Sequence, residues 1–246
     1  MPNHVQNVLM VSGPDVTDRM RKYFLMLPDP DKPGQMYGPT FDFNQLIPMP
    51  EVAAQVVESS LAPTIITLMV GGPGMITAWD DLCRTDRDKI LGPWIGLAYE
   101  KIEAKLEKVE KAYPGAIANA RLMARCIGET GYKSWYEWSI HHWGTKWNAY
   151  DSVMQTVVRG EDKQAELRFQ TAWSCPTPVL EKLTEVESDL TFEYYAFDEG
   201  WNFMATGTGR DGKFTLNKTK PERRDPETER IHQICYGRLP EYDEEE

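Results

Sequence analysis

Hydrophobic and polar residues alternate near both ends of the chain, and this period of two predicts strands there. The opening segment, HVQNVLMVSG at residues 4–13, alternates well enough for a strand, and the turn residues after it start a helix. The apolar face of that helix consists of residues at helical spacing: Val16, Met20, Phe24 and Leu27. Pro28 is expected to end the helix, residues 29–39 to form a loop, and residues 41–50 to form a short strand with an irregular exit.

The alternation returns in the second half of the chain. Residues 151–158 and 165–173 are predicted to be two strands joined by a polar hairpin connection. Two prolines then open a helix over residues 176–186, and residues 190–209 predict a further pair of strands around a turn. The remainder is expected to be mostly loop or tail, with at most one short ordered segment at residues 231–236.

The middle of the chain has helical periodicity instead, and we interpret residues 51–131 as a helical insertion. Its clearest helix places four apolar residues on one face: Ile102, Leu106, Val109 and Tyr113. The glycine-rich segment VGGPG at residues 70–74 resembles a phosphate-binding loop, but no GK[ST] follows it and Pro73 lacks an amide hydrogen. A turn between helices is therefore the preferred interpretation of this segment.

Without the insertion, the order of elements predicts an antiparallel sheet with helices packed on one face, an α+β fold of the ferredoxin-like type. Residues 1–50 would form the N-terminal part of this sandwich and residues 132–216 its C-terminal part. Residues 51–131 would be the insertion between them, and residues 217–246 a polar acidic tail.

Composition then limits the classes of function. The net charge of −11 argues against a nucleic-acid-binding protein that works by general phosphate neutralisation, although a local basic groove is compatible with it. No apolar run reaches the roughly 20 residues of a membrane helix, and the first residues lack the pattern of a secretion signal. The four cysteines contain no CxxC pair, which fits reduced packing residues in the cytoplasm: Cys83, Cys126, Cys175 and Cys235.

The segment WYEWSIHHWGTKWNAYD at residues 135–151 contains four of the eight tryptophans, and it is either a ligand platform or a packing junction. His141 and His142 are adjacent, so a helix would point them about 100° apart, which is unsuited to a shared metal. We therefore predict no metal and no cofactor. Lys146 could hold its ammonium against an indole, or the indoles could simply fill the core. The candidate ligand-binding residues are Trp143, Lys146, Trp147, Asn148 and Trp173.

Candidate acids for proton transfer can also be named: Asp151, Glu193, Asp198 and Glu199. Asp198 and Glu199 are adjacent and could act as an acid–base pair, but adjacent acids before a glycine are more often part of a hairpin turn. No GxSxG motif, Cys–His signature or dinucleotide fingerprint occurs. The sequence therefore predicts no catalytic residue.

Several motifs together carry a resemblance to a known family: MPNHVQN at residues 1–7, FDFNQLIPMPE at 41–51, WGTKWNAYD at 143–151, FQTAWSCPTPVL at 169–180 and FEYYAFDEGWNF at 192–203. In this order they resemble the YubB-like proteins of plasmids and phages, whose C-terminal part is described as a ferredoxin-like domain. The resemblance implies that fold and a mobile-element origin, but no reaction. The chain departs from the pattern at residues 175–178, where relatives tend to have a double proline.

Two hypotheses for the function follow. The first is a non-catalytic phage or plasmid accessory protein that binds a host protein or defence complex in the bacterial cytoplasm, for example as an anti-CRISPR or anti-restriction inhibitor that uses its acidic surface. The second is a small nucleotide- or nucleic-acid-binding protein or enzyme with a pocket of Trp143, Lys146, Trp147 and Asn148, in which the rings stack on bases. The sequence makes no prediction of the oligomeric state.

Overall fold

The protein divides into two compact units in this structure, a computed structural model. The sheet unit consists of Met1–Pro48 and Ser139–Glu246, and the helical unit of Met49–Trp138. The predicted insertion, residues 51–131, lies within the helical unit. The residues that the structure describes are 3–28, 34, 36–70, 102–159 and 162–242.

Eight strands and eight α-helices lie in the described part of the chain. The strands are β1 His4–Ser12, β2 Phe24–Pro28, β3 Met36–Phe41, β4 Tyr150–Arg159, β5 Asp162–Ala172, β6 Thr191–Asp198, β7 Met204–Arg210 and β8 Lys213–Thr219. The helices are α1 Val16–Arg21, α2 Glu51–Gln55, α3 Ala62–Val70, α4 Ile102–Ala112, α5 Ala116–Thr130, α6 Trp135–His142, α7 Thr177–Val186 and α8 Pro226–Tyr236.

Six of the strands form one antiparallel sheet in the order β4-β5-β1-β6-β7-β8. The succession β1, α1, β4, β5, α7, β6 is strand–helix–strand–strand–helix–strand, and its four strands lie in the spatial order fourth, first, third, second. This is the ferredoxin-like arrangement, so the predicted α+β fold class is confirmed. The hairpin of β7 and β8 extends the sheet beyond the four-stranded unit.

The main core lies on the face of the sheet that α7 covers. Alternate residues of β1 are fully buried there, and they face alternate residues of β6: Val5, Asn7, Leu9, Val11, Phe192, Tyr194 and Ala196. Gly209 of β7 allows the close approach of α7, because a Cβ atom there would lie 2.7 Å from Oγ1 of Thr184. The period-two pattern of the sequence therefore fixes which side of each strand meets the helices.

The segment after β1 differs from its prediction. The apolar spacing predicted one helix up to Pro28, but α1 ends at Arg21 and Phe24–Pro28 is strand β2. β2 pairs with β3 in a separate two-stranded sheet, and β3 includes residues predicted to be loop. The rings of Phe24 and Phe41 stack 5.7 Å apart across this pair. Pairing with β3 and the packing of the two rings outweigh the helical spacing of apolar residues, which continues for only one turn beyond α1.

The prediction of a short strand at residues 41–50 was also wrong in part. Phe41 is the last residue of β3, and Phe43–Gln45 is a turn of 3-10 helix. The carboxylate of Asp42 caps this turn by accepting hydrogen bonds from the backbone and side chain of Asn44, at 3.1 and 2.9 Å. An aspartate that caps the following backbone favours a turn over an extended strand.

The C-terminal segment is more ordered than the sequence indicated. Residues 213–219 form β8, and the ordered segment predicted at residues 231–236 is the second half of α8. The side chain of Asp225 accepts from the backbone of Thr228 at the start of α8, and Gly237 ends it with a left-handed φ of 72°. The helix packs on the sheet face opposite α7, where its residues Ile231 and Cys235 form a buried cluster with Val8, Phe197 and Met204 of the strands.

The helical unit contains α2 to α5 and the start of α6. The Asn119 side chain of α5 ties down the segment after α2, because it exchanges two hydrogen bonds with the backbone of Val57, at 2.9 and 2.8 Å. The glycine-rich segment at 70–74 and Cys83 lie outside the described residues, apart from Val70 at the end of α3. None of the described helices combines the length and the apolar character that crossing a bilayer requires.

Candidate binding site at the aromatic end of the sheet

Four strands of the sheet begin or end at the same place, which we call the aromatic end. β1 begins there with His4, β4 begins with Tyr150, β5 ends just before Trp173, and β6 ends just before Glu199. Because neighbouring strands are antiparallel, the starts of two strands and the ends of two others lie side by side. The site is therefore assembled from four separate parts of the sequence.

A lysine between two tryptophans is the central feature of the aromatic end. The Nζ atom of Lys146 lies 4.9 Å from the ring centroid of Trp147 and 4.8 Å from that of Trp173. Both distances are within the range of about 6 Å for cation–π attraction. The two indoles are 37% and 41% exposed, so they face solvent as well as the ammonium. Three of the predicted ligand-binding residues are thus brought together.

The backbone of Trp173 adopts a left-handed conformation, with φ at 73°. This region costs a non-glycine residue about 1–2 kcal/mol, and a bulky side chain seldom occupies it. The amide of Trp173 is held by a hydrogen bond to the carbonyl oxygen of Asn3, at 3.0 Å. A strained tryptophan whose side chain is only partly buried is a candidate for a binding role.

Hydroxyl groups fix the loop that carries Lys146 and Trp147. Buried Ser139 donates to the carbonyl oxygen of Lys146 at 2.8 Å, and buried Thr145 donates to that of Trp147 at 2.6 Å. Ser174, which follows the second indole, donates to the carbonyl oxygen of Gly144. Each half of the site is therefore anchored by side chain–backbone bonds that hold it in place before any ligand arrives.

Trp143 has a different environment from the exposed pair. Its side chain is 4% exposed, its indole N–H donates to the carbonyl oxygen of Ile47 at 2.9 Å, and its ring meets Phe43 edge-on at 5.8 Å. A buried indole whose single donor is satisfied contributes packing. Of the two interpretations of the tryptophan-rich segment, a ligand platform or a packing junction, the environment of Trp143 fits packing.

Asn148 is engaged with the backbone in a similar way. Its Oδ1 atom accepts from the amides of Phe43 and Ala149, both at 2.9 Å, and its Nδ2 donates to Asp42 at 2.6 Å. These bonds join the loop before β4 to the turn after β3. The structure therefore gives Asn148 a clear structural role beneath the candidate site.

Two residues that the sequence analysis did not select complete the aromatic end. Nδ1 of His4 lies 2.6 Å from the hydroxyl of Tyr150, whose ring meets that of Trp147 edge-on at 6.3 Å. Burial raises the pKa of Tyr150, and the carboxylates of Asp151 and Glu199 raise it further, so the phenol stays protonated. The signal for His4 was its place in the MPNHVQN motif, but no local pattern pairs it with Tyr150.

The two adjacent acids at the end of β6 have separate roles. Asp198 is buried, and its Oδ2 atom accepts from the backbone and side chain of Asn202 at 3.1 and 2.7 Å, which closes the turn. Glu199 is exposed, and its Oε1 atom accepts from the amide of His4 at 2.7 Å. The interpretation of this pair as turn chemistry therefore agrees with the geometry, and Glu199 adds negative charge to the aromatic end.

The adjacent histidines of α6 face each other edge-on, with ring centroids 5.0 Å apart. Burial lowers the pKa of His142, and the neighbouring His141 lowers it further, which favours the neutral imidazole. Within the described ranges, no group of three or more His, Cys, Asp and Glu side chains is placed to hold a metal ion.

A concavity of about 500 Å³ lies beside α8 and is lined by residues of β6, β7, β8 and α8. Its lining is polar and of mixed charge: Glu193, Thr206, Thr208, Arg210, Thr215, Asn217, Glu227 and Arg230. Arg230 already makes two hydrogen bonds of 2.7 Å to Glu227 and lies over the ring of Tyr195. The two acidic and two basic side chains of the groove give it no preference for a ligand of either charge.

A match to a family model supports the fold of the second half. Residues 142–232 match a family model described as the ferredoxin-like domain in Api92-like protein. The crystal structure of protein api92 from Yersinia pseudotuberculosis aligns with 92% of this chain and 100% of that one, at 10% sequence identity and a TM-score of 0.40. A search of curated proteins gives no match. The segment from the end of α6 to the middle of α8, which carries Lys146, Trp147 and Trp173, is thus similar to the ferredoxin-like domain of Api92-like proteins.

Proposed function

We propose that this chain is a non-catalytic binding protein whose contact surface is the aromatic end of the sheet, and whose partner is a protein with a basic surface. The observation that carries the proposal is the pair of half-exposed indoles, Trp147 and Trp173, held at fixed positions around Lys146. Tryptophan is one of the residue types enriched among those that dominate the binding energy of protein–protein interfaces.

The charge of the chain supports a basic partner. Its net charge is −11, and the exposed carboxylates of Asp151 and Glu199 both act on Tyr150, beside the indoles. An acidic surface accelerates association with a basic partner and repels acidic ones. With the resemblance to plasmid and phage proteins, this leads us to propose an accessory protein of a mobile element. It would bind a host protein, such as a component of a defence complex, in the bacterial cytoplasm.

The test is affinity capture from a bacterial lysate treated with nuclease, using three forms of the protein. We expect the wild type to retain one host protein in constant ratio and the double variant Trp147→Ala, Trp173→Ala to lose it. The matched control is Val158→Ala, which removes an exposed apolar side chain of β4, and it should retain the partner. Equal capture by all three forms would contradict the proposal.

A second candidate function is the binding of single-stranded nucleic acid, which one observation favours. Two exposed indoles with an ammonium between them can stack on bases and contact a phosphate. Quenching of tryptophan fluorescence by short oligonucleotides would measure this binding. If the protein binds oligonucleotides tightly and a folded Trp147→Ala variant does not, nucleic-acid binding is the function and the protein-binding proposal is wrong.

A further inference from the structure

We infer that Trp147 and Trp173 form a cage for an organic cation, and that Lys146 occupies this cage in the free protein. The inference rests on the proposed function and states what the site would recognise: the ammonium or guanidinium group of a lysine or arginine side chain on the basic partner. Such a group would enter between the two indoles and displace the ammonium of Lys146.

The position of the Lys146 ammonium is the first argument. Its Nζ atom is almost equidistant from the two ring centroids, at 4.9 Å from Trp147 and 4.8 Å from Trp173. One cation can therefore contact both indoles at the same time, and indole is the side chain that attracts cations most strongly. The lysine shows where a cation of similar size would lie.

The second argument is the rigidity of the two walls of the cage, which are the indoles of Trp147 and Trp173. The wall on the β4 side is fixed because Thr145 bonds the carbonyl of Trp147 and the ring of Tyr150 meets its indole edge-on. The wall on the β5 side is fixed because the amide of Trp173 donates to Asn3. A cage with fixed walls loses little conformational entropy when a cation enters.

The charges around the cage are the third argument. Asp151 and Glu199 lie close enough to Tyr150 to raise its pKa, and the Tyr150 ring contacts Trp147. Two exposed carboxylates near a pair of indoles favour a cation over a phosphate group. This electrostatic preference separates the cage from a platform for nucleic acid.

Displacement of Lys146 from the cage requires a movement of its long side chain. Its ammonium is a point charge on a flexible four-carbon stem, while its backbone is held by Ser139. The tethered ammonium competes with any cation from solution. The wild type should therefore bind small cations weakly, and removal of the charge at position 146 should expose the cage.

The experiment titrates choline against the wild type and the Lys146→Met variant, with indole NMR shifts and tryptophan fluorescence as readouts. We expect Lys146→Met to bind choline about tenfold more tightly than the wild type, since choline can then make two cation–π contacts that each contribute a factor of a few at half-exposed rings. The uncharged tert-butyl isostere of choline should bind at least about tenfold more weakly than choline to the same variant. Trp173→Ala combined with Lys146→Met should lose choline binding.

Two results would overturn the inference: choline binding no tighter in Lys146→Met than in the wild type, or equal binding of choline and its uncharged isostere. Thermal unfolding checks that the variant is folded, and Lys146→Gln replaces it if Lys146→Met is not. The proposed function is judged separately. If host-protein capture depends on the indoles but choline does not bind, only the cage is wrong. If choline binds and no host protein is captured, only the proposed function is wrong.

Discussion

Two tryptophans at the aromatic end have left-handed backbone conformations, with φ of 73° at Trp173 and 58° at Trp201. Trp201 packs edge-on against Phe197 at 5.2 Å and lies 6.1 Å from the ring of His232, so its side chain gains contacts that offset the strain. Trp173 instead is 41% exposed and faces the Lys146 ammonium. At the scale of single residues, strain combined with an exposed side chain is what makes Trp173 a candidate binding residue.

The strain at Trp173 leads to a prediction about stability. Glycine adopts a left-handed conformation without steric cost, so Trp173→Gly should be more stable than Trp173→Ala by about 1 kcal/mol in urea unfolding. Trp147 is the matched control, because it is also half-exposed but has no positive φ. There the order should reverse, with Trp147→Ala more stable than Trp147→Gly. If Trp173→Ala were more stable than Trp173→Gly, the inference of backbone strain at this position would be wrong.

At the scale of elements, one carboxylate joins the two helices that cover the core. Glu187 follows α7 and is 2% exposed, and it accepts from Nη2 of Arg19 at 2.5 Å and from the hydroxyl of Tyr23 at 2.6 Å. Lys22 forms a further ion pair with it. These three residues lie in or just after α1, so Glu187 fixes the end of α7 against α1.

The pKa of Glu187 predicts how this junction responds to pH. Burial by itself would raise the pKa, but hydrogen bonds from Lys22, Tyr23 and Arg19 outweigh it and lower the pKa below the usual 4.5. A lowered folded-state pKa stabilises the protein above the unfolded-state pKa, and this stabilisation is lost as the pH falls through the folded-state value. We expect Glu187→Gln to reduce the free energy of unfolding by about 2 kcal/mol near neutral pH. The difference from wild type should shrink below about pH 4, and a difference that grows in acid would contradict the assignment.

The end of α8 depends on a second charged contact. Nη1 of Arg168 in β5 donates to the carbonyl oxygens of Ile234 and Cys235, at 2.9 and 3.3 Å, and its Nε contacts Glu166 at 2.6 Å. Carbonyls at a helix C-terminus have no partner within the helix, so a cation there satisfies them and interacts favourably with the helix dipole.

Replacement of this arginine should loosen α8 from the sheet. We expect Arg168→Met to lower the free energy of unfolding by about 1–2 kcal/mol and to increase hydrogen exchange of the α8 amides. The matched control is Arg21→Met, which breaks an exposed pair with Asp18 in the same unit and should change stability by less than about 0.5 kcal/mol. Equal effects of the two substitutions would contradict the capping role.

At the scale of the whole molecule, acidic residues outnumber basic ones, 38 Asp and Glu against 27 Lys and Arg. A surplus of this size creates a field that attracts basic proteins, and its reach depends on ionic strength. The indoles of the aromatic end would then supply the short-range contacts. The proposed interface therefore combines a salt-dependent and a salt-independent contribution.

This combination predicts a partial loss of affinity in salt. An increase of ionic strength from about 0.1 M to about 1 M shortens the Debye length from about 10 to about 3 Å. The affinity for the captured partner should fall mainly through a slower association rate, while the dissociation rate should respond more to Trp147→Ala. Surface plasmon resonance separates the two rates, and an association rate that salt leaves unchanged would contradict a basic partner.

The sequence by itself determined the elements whose signal is local. Period-two alternation identified β1 and β4 to β7. The loss of alternation predicted a helical segment at residues 51–131, a range that lies within the unit Met49–Trp138. The density of tryptophan and the rare motifs directed attention to residues 143–151 and to Trp173. These signals depend only on neighbouring positions, so they can be read without the fold.

Tertiary structure decided the features that depend on distant pairing. β2 is a strand because β3 lies beside it, and α8 is a stable helix because the sheet covers its apolar side. The cation position between Trp147 and Trp173 exists because antiparallel pairing places the start of β4 and the end of β5 at the same end of the sheet. Periodicity describes which side of an element is buried, but only the packed sheet determines which distant residues meet there.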